Sequence, residues 1–408
     1  MSSVSDIREM FPALKLSVYG KPLVYFDNAA TAQKPVSVLE LQDRLYRDSN
    51  ANVHRAVHFL SAKATEAYES GRQAVADYLG ASREEIILTS GTTASMNLLA
   101  GSFAERYLHR GDRILISEAE HHANIVPWQR VCERYGATLD IIPVDDSGIL
   151  DIRALEQKLG PDVKLLSIAH ISNVLGIVNP IREIIGTAHR HNVPVAVDGA
   201  QGIVHTPVNV AELDCDFYAF SGHKLYAPTG IGVLFGKKKW LEEMPPFLTG
   251  GEMVETVTFE KTTYAPLPLK FEAGTPNFVA AACLKPAVEF TASVMKDSGL
   301  VAAERENLRY LMEALPRTEG LHIHGTPEKL SEKASVISFT VDGVHPSDLA
   351  QILDKMGFAV RSGLMCAEPV VTRFSRNGML RASLAPYNTL EECEAFTKGL
   401  EKAVNMLR

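Results

Sequence analysis

Between about residues 83 and 236 the chain alternates short apolar runs with stretches whose apolar residues return every three or four positions. The runs are EEIILTS (84–90), DRILISE (112–118), ATLDIIPV (137–144), VKLLSIAHIS (163–172), VPVAVDGAQ (193–201), DFYAFSGHK (216–224) and GIGVLFGKK (230–238). Each reads as a buried strand, because strands covered on both faces are apolar along their length rather than alternating. Helical patterns such as TTASMNLLAGSFAERYL (92–108) and IREIIGTAHRHN (181–192) lie between them. The rhythm predicts an α/β domain around a mostly parallel sheet of seven strands.

Residues 245–282 break the rhythm. They are rich in Gly, Pro, Thr and Glu, and read as extended loop or hairpin. One long helical pattern is expected from Ala281 to about Leu315. The rest reads as strand 334–343, helix 346–357, strand 358–363, a loop around Cys366, strand 379–386 and helix 389–407, a smaller α/β domain. The expected division is an N-terminal segment (1–22) packed on the small domain, a large domain (23–283), and a small C-terminal domain (284–408) carrying the cysteine loop.

The chain has 408 residues, 46% of them hydrophobic, enough for a large core. A net charge of −8, with both signs spread along the sequence, argues against nucleic acid or an anionic membrane as partner. No apolar run is expected to approach the ~20 residues that span a bilayer. The opening MSSVSDIREMF carries Asp6 and Glu9 and no apolar core, so it is not read as a secretory signal. Five cysteines is an odd count in a chain too large to need disulfides, which points to a reducing compartment, by default the cytoplasm.

Open α/β sheets bind ligands at the carboxyl ends of their strands. The residues standing just after the runs are Gly91-Thr92-Thr93, Glu120-His121-His122, Asn173, Asp198 with Gln201, and Ser221-Gly222-His223-Lys224, and all should meet in one crevice. A Thr-Thr pair at a helix N-terminus suits a phosphate, though in isolation an ordinary N-cap is the favoured reading. Asp198 at the end of an apolar strand is costly unless paired. It is either a structural ion pair or cap, or a carboxylate that keeps a pyridine nitrogen protonated. Lys224, in the tight GHKLYAPTGIG segment, has the setting of a Schiff-base lysine with a lowered pKa. His121 fits a ring stacked on a flat cofactor better than a metal ligand, because no metal-binding spacing accompanies it, and His122 is read as structural.

DNAATAQKP (27–35), SEAEHHANIVPWQ (117–129), VDGAQ (197–201), FSGHKLYAPTGIG (220–232), FEAGTPN (271–277) and RASLAPYNT (381–389) together resemble the SufS-type (group II) cysteine desulfurases over essentially the whole chain. The resemblance implies pyridoxal 5′-phosphate (PLP) as cofactor, the aspartate aminotransferase (type I) fold, and a homodimer. It implies Lys224 as the cofactor-linked lysine, Asp198 on the pyridine nitrogen, Gln201 on the ring hydroxyl and His121 over the ring. Thr92, Thr93, Ser221 and His223 would hold the phosphate, joined by Thr275 of the other subunit. Arg381, Asn173 and Arg361 would bind the substrate, and a planar arginine independently suits its carboxylate.

Cys132, Cys215, Cys283 and Cys393 stand in regular apolar patterns and read as buried, inert thiols. Cys366 stands apart in SGLMCAEP (362–369). In the SufS-type family a cysteine here, usually within RxGHHCA, takes up sulfur as a persulfide; Leu364 and Met365 replace the two histidines. The short span from Arg361 to Arg381 differs from the longer, mobile loop of the IscS-like branch. The implied reaction converts L-cysteine to L-alanine, with sulfur passing to Cys366 and then to an acceptor of the SufE or SufU kind for iron–sulfur cluster assembly. A selenocysteine lyase, a transaminase and a cofactor-free scaffold are the alternatives.

Overall fold

The computed structural model describes residues 3–408. Its central sheet is built from β1 (Ile86–Thr89), β2 (Arg113–Ser117), β3 (Thr138–Ile142), β4 (Val163–Ala169), β5 (Val195–Asp198), β6 (Phe217–Ser221) and β7 (Gly232–Gly236), in the order β1-β7-β6-β5-β4-β2-β3. All seven come from the seven apolar runs. Pairing is parallel from β3 through β6, and only β7 runs antiparallel to its neighbours β1 and β6.

Helices on both faces explain why the runs are continuous. In β5 to β7 every residue is buried, yet successive side chains enter different cores. Ala196, Phe217 and Leu234 join Leu99 and Phe103 of helix α2 (Thr92–Tyr107) on one face. Val197, Phe220 and Val233 join Val75 of α1 (Phe59–Leu79) and Ile184 of α3 (Ile181–Arg190) on the other. Edge strand β3, with one neighbour, is half exposed.

A second, antiparallel sheet of β8 (Leu321–His324), β9 (Val336–Val341), β10 (Arg361–Gly363) and β11 (Met379–Ser383) has the order β8-β9-β11-β10. Its core joins Ile337, Phe339 and Leu380 to Leu311, Phe396 and Leu400. Three local expectations change. The long helix is α4 (Leu284–Lys296) followed by α5 (Ser298–Ala314), because Asp297 leaves the helix and accepts hydrogen bonds from the Gly299 and Leu300 amides. Strand 358–363 changes partner at Val360: Phe358–Ala359 pairs with Val24–Tyr25, and only β10 pairs with β11. The region after Cys366 forms a short helix, α6 (Glu368–Phe374).

The N-terminal segment is anchored in the large core and also reaches the C-terminal helix. Arg8 pairs with Glu392 of α7 (Leu390–Leu407), while Phe11 packs against Tyr226, Phe290 and Tyr387. Val24 and Phe26, grouped with the large domain by sequence, sit in the core of the second sheet. Residues 278–296 also depart from expectation, being long and apolar enough by composition to cross a membrane. Here they fold back on α1, with Ala281, Leu284 and Ala287 inside the protein's own core.

Buried Glu272 fixes the 269–277 segment. It accepts from Arg72 Nη1 (2.6 Å) and Nη2 (2.8 Å), Tyr68 Oη (2.7 Å) and the Leu88 amide (2.7 Å). Glu272→Gln removes the more deeply buried of the two carboxylates that pair with Arg72, leaving only Glu69 (3.1 Å from Nε), and we expect a loss of about 3 kcal/mol in urea unfolding. A change within about 0.5 kcal/mol, as for a surface site, would show the pair to be dispensable.

Candidate active site

The carboxyl ends of β2, β4, β5 and β6, together with the N-terminus of α2, open onto one cleft. Thr92, Thr93, His121, Asn173, Asp198, Gln201, Ser221, His223, Lys224, Arg361, Cys366 and Arg381 all line it. Of the residues given a role in the site only Thr275 is elsewhere, exposed in the segment after Glu272; Glu120 and His122, also expected at the crevice, do not line it.

One end of the cleft is built for an anion. Gly91 takes φ +150° and gives α2 no side-chain cap, so the first amides of that helix need other partners. Gly91 and Gly232 pack so closely that a Cβ on Gly232 would meet Gly91 Cα at 2.4 Å. Ser221 Oγ lies 2.7 Å from both the Thr92 amide and Thr92 Oγ1, joining the end of β6 to the start of α2. Burial, helped by the Lys224 charge, lowers the His223 pKa to about 4, so the ring is neutral at pH 7.

The middle carries the perturbed groups. Asp198 is buried and accepts from the Ala200 amide (3.0 Å); burial raises its pKa, opposed by that bond and by Lys224. Burial lowers the Lys224 pKa to about 8, opposed by Asp198, which makes its amine easy to deprotonate. His121 Nδ1 accepts from the Ala123 amide (3.0 Å), placing the ring proton on Nε2, and burial followed by the Lys224 charge lowers its pKa to about 3. Gln201 donates to the Ala29 carbonyl (2.8 Å), while its buried Oε1 has no partner.

These groups fit PLP. The unpartnered Gln201 Oε1 matches a hydroxyl donor, the buried Asp198 carboxylate matches a protonated pyridine nitrogen, and the α2 end matches a phosphate. No cluster of potential metal ligands occurs among the described residues.

Above this floor, buried Arg381 donates from Nη1 to the Asn173 carbonyl (2.8 Å) and from Nη2 to Asp27 Oδ1 (3.1 Å). Its buried Nε is left without an acceptor, and half-buried Arg361 stands nearby on the adjacent strand. Sequence reasoning did not assign Asp27, although the residue opens the DNAATAQKP segment. Nor did it assign Glu120, whose buried carboxylate ties the segment after β2 to Ser117 Oγ (2.5 Å), Asn124 Nδ2 (2.7 Å) and the Ala169 amide (3.0 Å).

Cys366 is the one exposed cysteine; the other four are buried as expected. Met365 and Cys366 both have left-handed backbones, with φ 51° and 55°. That conformation costs roughly 1–2 kcal/mol per residue bearing a Cβ, so other contacts must hold it. Asn173 Nδ2 donates to the Met365 carbonyl (2.8 Å), so this side chain grips the cysteine loop as well as facing the cleft.

The architecture is that of the PLP-dependent transferases, an α/β fold with a mostly parallel seven-stranded sheet. The family model for class-V aminotransferases matches residues 24–396, and the chain belongs to that family. It is 47% identical over 98% of its length, and 95% of the relative's, to a probable cysteine desulfurase of Xylella fastidiosa (strain Temecula1). It is 44% identical to a cysteine desulfurase of Escherichia coli O127:H6, over 99% of both chains. Two solved cysteine desulfurases share 38% identity: an Escherichia coli enzyme in an S-sulfonic acid form (TM-score 0.91, all of both chains) and an apo enzyme from Thermococcus onnurineus NA1 (TM-score 0.93, 100% of this chain and 99% of that one).

Proposed function

We infer that the protein is a PLP-dependent cysteine desulfurase that converts L-cysteine to L-alanine and carries the released sulfur as a persulfide on Cys366. The observation that carries this reading is one exposed cysteine opening onto the same cleft as Lys224, Asp198 and Arg381. Full-length similarity to proteins named cysteine desulfurases agrees with it.

When bound, PLP supplies an aldehyde that links to amines and a cationic ring that accepts electron density from a neighbouring carbon. Arg381, with its free Nε, and Arg361 hold the substrate carboxylate. Lys224 holds the cofactor and, as a neutral amine, takes the proton from the substrate α-carbon. Asp198 would pair with the protonated pyridine nitrogen and His121 would stack over the ring. Cys366 Sγ, as a thiolate, forms a bond to the substrate sulfur while the carbon–sulfur bond breaks. The electron pair of that bond stays with the β-carbon, which takes up a proton; Lys224 returns a proton to the α-carbon, and alanine leaves.

The finer reading is a SufS-type (group II) enzyme of the SUF system. Its sulfur goes to an acceptor protein of the SufE or SufU kind for iron–sulfur cluster assembly, in the reducing cytoplasm where Cys366 stays a thiol. The cysteine-carrying segment supports it, because only 19 residues separate Arg361 from Arg381 and seven of them form α6, so the partner must come to the thiol. The working form is a homodimer in which Thr275 serves the partner's phosphate site; sedimentation should show a dimer, and a fully active monomer would overturn this point. Activity is tested by supplying L-cysteine and L-selenocysteine to wild type and to a Cys366 variant. Cysteine turnover that needs Cys366 supports a desulfurase; turnover of selenocysteine alone, independent of Cys366, identifies a lyase instead.

A further inference from the structure

We propose that His122 is a positioning residue for the Cys366 thiol: it locks the cysteine loop into its left-handed backbone through a neutral ring. The proposal rests on the reading of Cys366 as sulfur carrier and deepens it.

Left-handed φ values at Met365 and Cys366 are disfavoured for two successive residues bearing a Cβ, and no glycine relieves them there. The conformation persists because residues outside the loop hold it. Asn173 grips the carbonyl of Met365. The His122 amide donates to the Cys366 carbonyl (2.7 Å), and its ring Nε2 accepts from the Glu368 amide (3.0 Å). His122 therefore holds the chain twice just after the thiol, once with its backbone and once with its side chain, while Asn173 holds it just before. An acceptor at Nε2 requires the ring proton on Nδ1, so only a neutral imidazole makes the second contact.

The anchor itself is rigid. His122 follows Glu120, whose carboxylate is fixed by three hydrogen bonds, and His121, which faces the cofactor site. Arg373 of α6 returns to the same segment through Glu118 (3.3 Å) and to Asp146 (3.0 Å). One short piece of chain thus sets both the imidazole that covers the cofactor and the thiol that receives sulfur. With Leu364 and Met365 on the N-terminal side of Cys366, the loop supplies no imidazole of its own there. The ring that organises it comes from the large sheet.

The test compares His122→Ala, His122→Phe and His122→Gln in the PLP-loaded, full-length protein. Phenylalanine keeps ring volume without an acceptor, and glutamine restores an acceptor. Two readouts are needed: hydrogen exchange of the loop amides, Glu368 included, and steady-state alanine formation from L-cysteine. In the Ala and Phe proteins we expect Glu368 amide exchange to speed up by about 10-fold or more. We expect kcat to fall by about 10-fold or more while KM stays within about twofold, because a misplaced thiol slows the transfer and not the binding. The Gln protein should recover most of both. Should the alanine protein fail to fold, the Phe–Gln pair carries the comparison. Phe equal to wild type in exchange and kcat overturns the proposal, since the ring would then serve only as packing. If Cys366 is not the sulfur carrier, Cys366→Ser retains turnover while the exchange effect persists, so that failure is read separately.

Discussion

Lys224→Ala is expected to fold and to lose turnover of L-cysteine by at least about 10³-fold. The size follows from two roles on one atom. In the proposed mechanism Nζ is both the amine to which the cofactor links and the base for the substrate α-carbon, and burial brings its pKa to about 8. Neither role passes to a neighbour: Lys34 donates to the Ala32 and His223 carbonyls, and His121 and His223 stay uncharged with pKa values far below neutrality. Borohydride reduction of the PLP-loaded wild type should fix the cofactor on the peptide containing Lys224. Fixation on another lysine, or an alanine variant with wild-type turnover, would refute the assignment.

Cys366→Ser should lower alanine formation from L-cysteine by at least about 100-fold, equivalent to ~2.7 kcal/mol of barrier. A hydroxyl is nearly the same size but is a far poorer nucleophile towards sulfur at neutral pH. The side chain is exposed in a loop, and the groups that hold cofactor and carboxylate are untouched, so folding and the spectral response to added cysteine should persist. Serine at any of the buried positions 132, 215, 283 or 393 should leave cysteine turnover intact wherever the protein folds. Equal turnover by wild type and Cys366→Ser would reduce Cys366 to a structural thiol.

The seven sheet strands were legible because burial on both faces makes each an uninterrupted apolar run, and the helix period between them differs from the strand period. The convergence of Thr92, His121, Asn173, Asp198 and Lys224 was legible for a topological reason: parallel strands put their carboxyl ends on one side. The roles expected of Gln201 and Arg361 came from family resemblance, since nothing in local pattern marks them.

What escaped the sequence depends on contacts between distant segments or on short-range competition. The helix break at Asp297 is marked locally by Asp-Ser-Gly, but the apolar periodicity runs straight through it. The change of partner at Val360 needs Val24–Tyr25 from the far end of the chain. Residues 278–296 became a core element because α1 offers them an apolar face. Asp27 meets Arg381 and His122 meets Glu368 only after the two sheets are packed together. Short α6 has too few residues for its period to show.

The central claim, that sulfur leaves L-cysteine and lands on Cys366, is tested most directly by treating the PLP-loaded enzyme with sulfur-labelled L-cysteine for a single turnover. Mass spectrometry of its peptides under non-reducing conditions then locates the label. The account predicts one additional labelled sulfur atom on the peptide containing Cys366, one alanine formed for each, and removal of the label by a thiol reductant. Alanine formed with label on another cysteine, or on none, would contradict it.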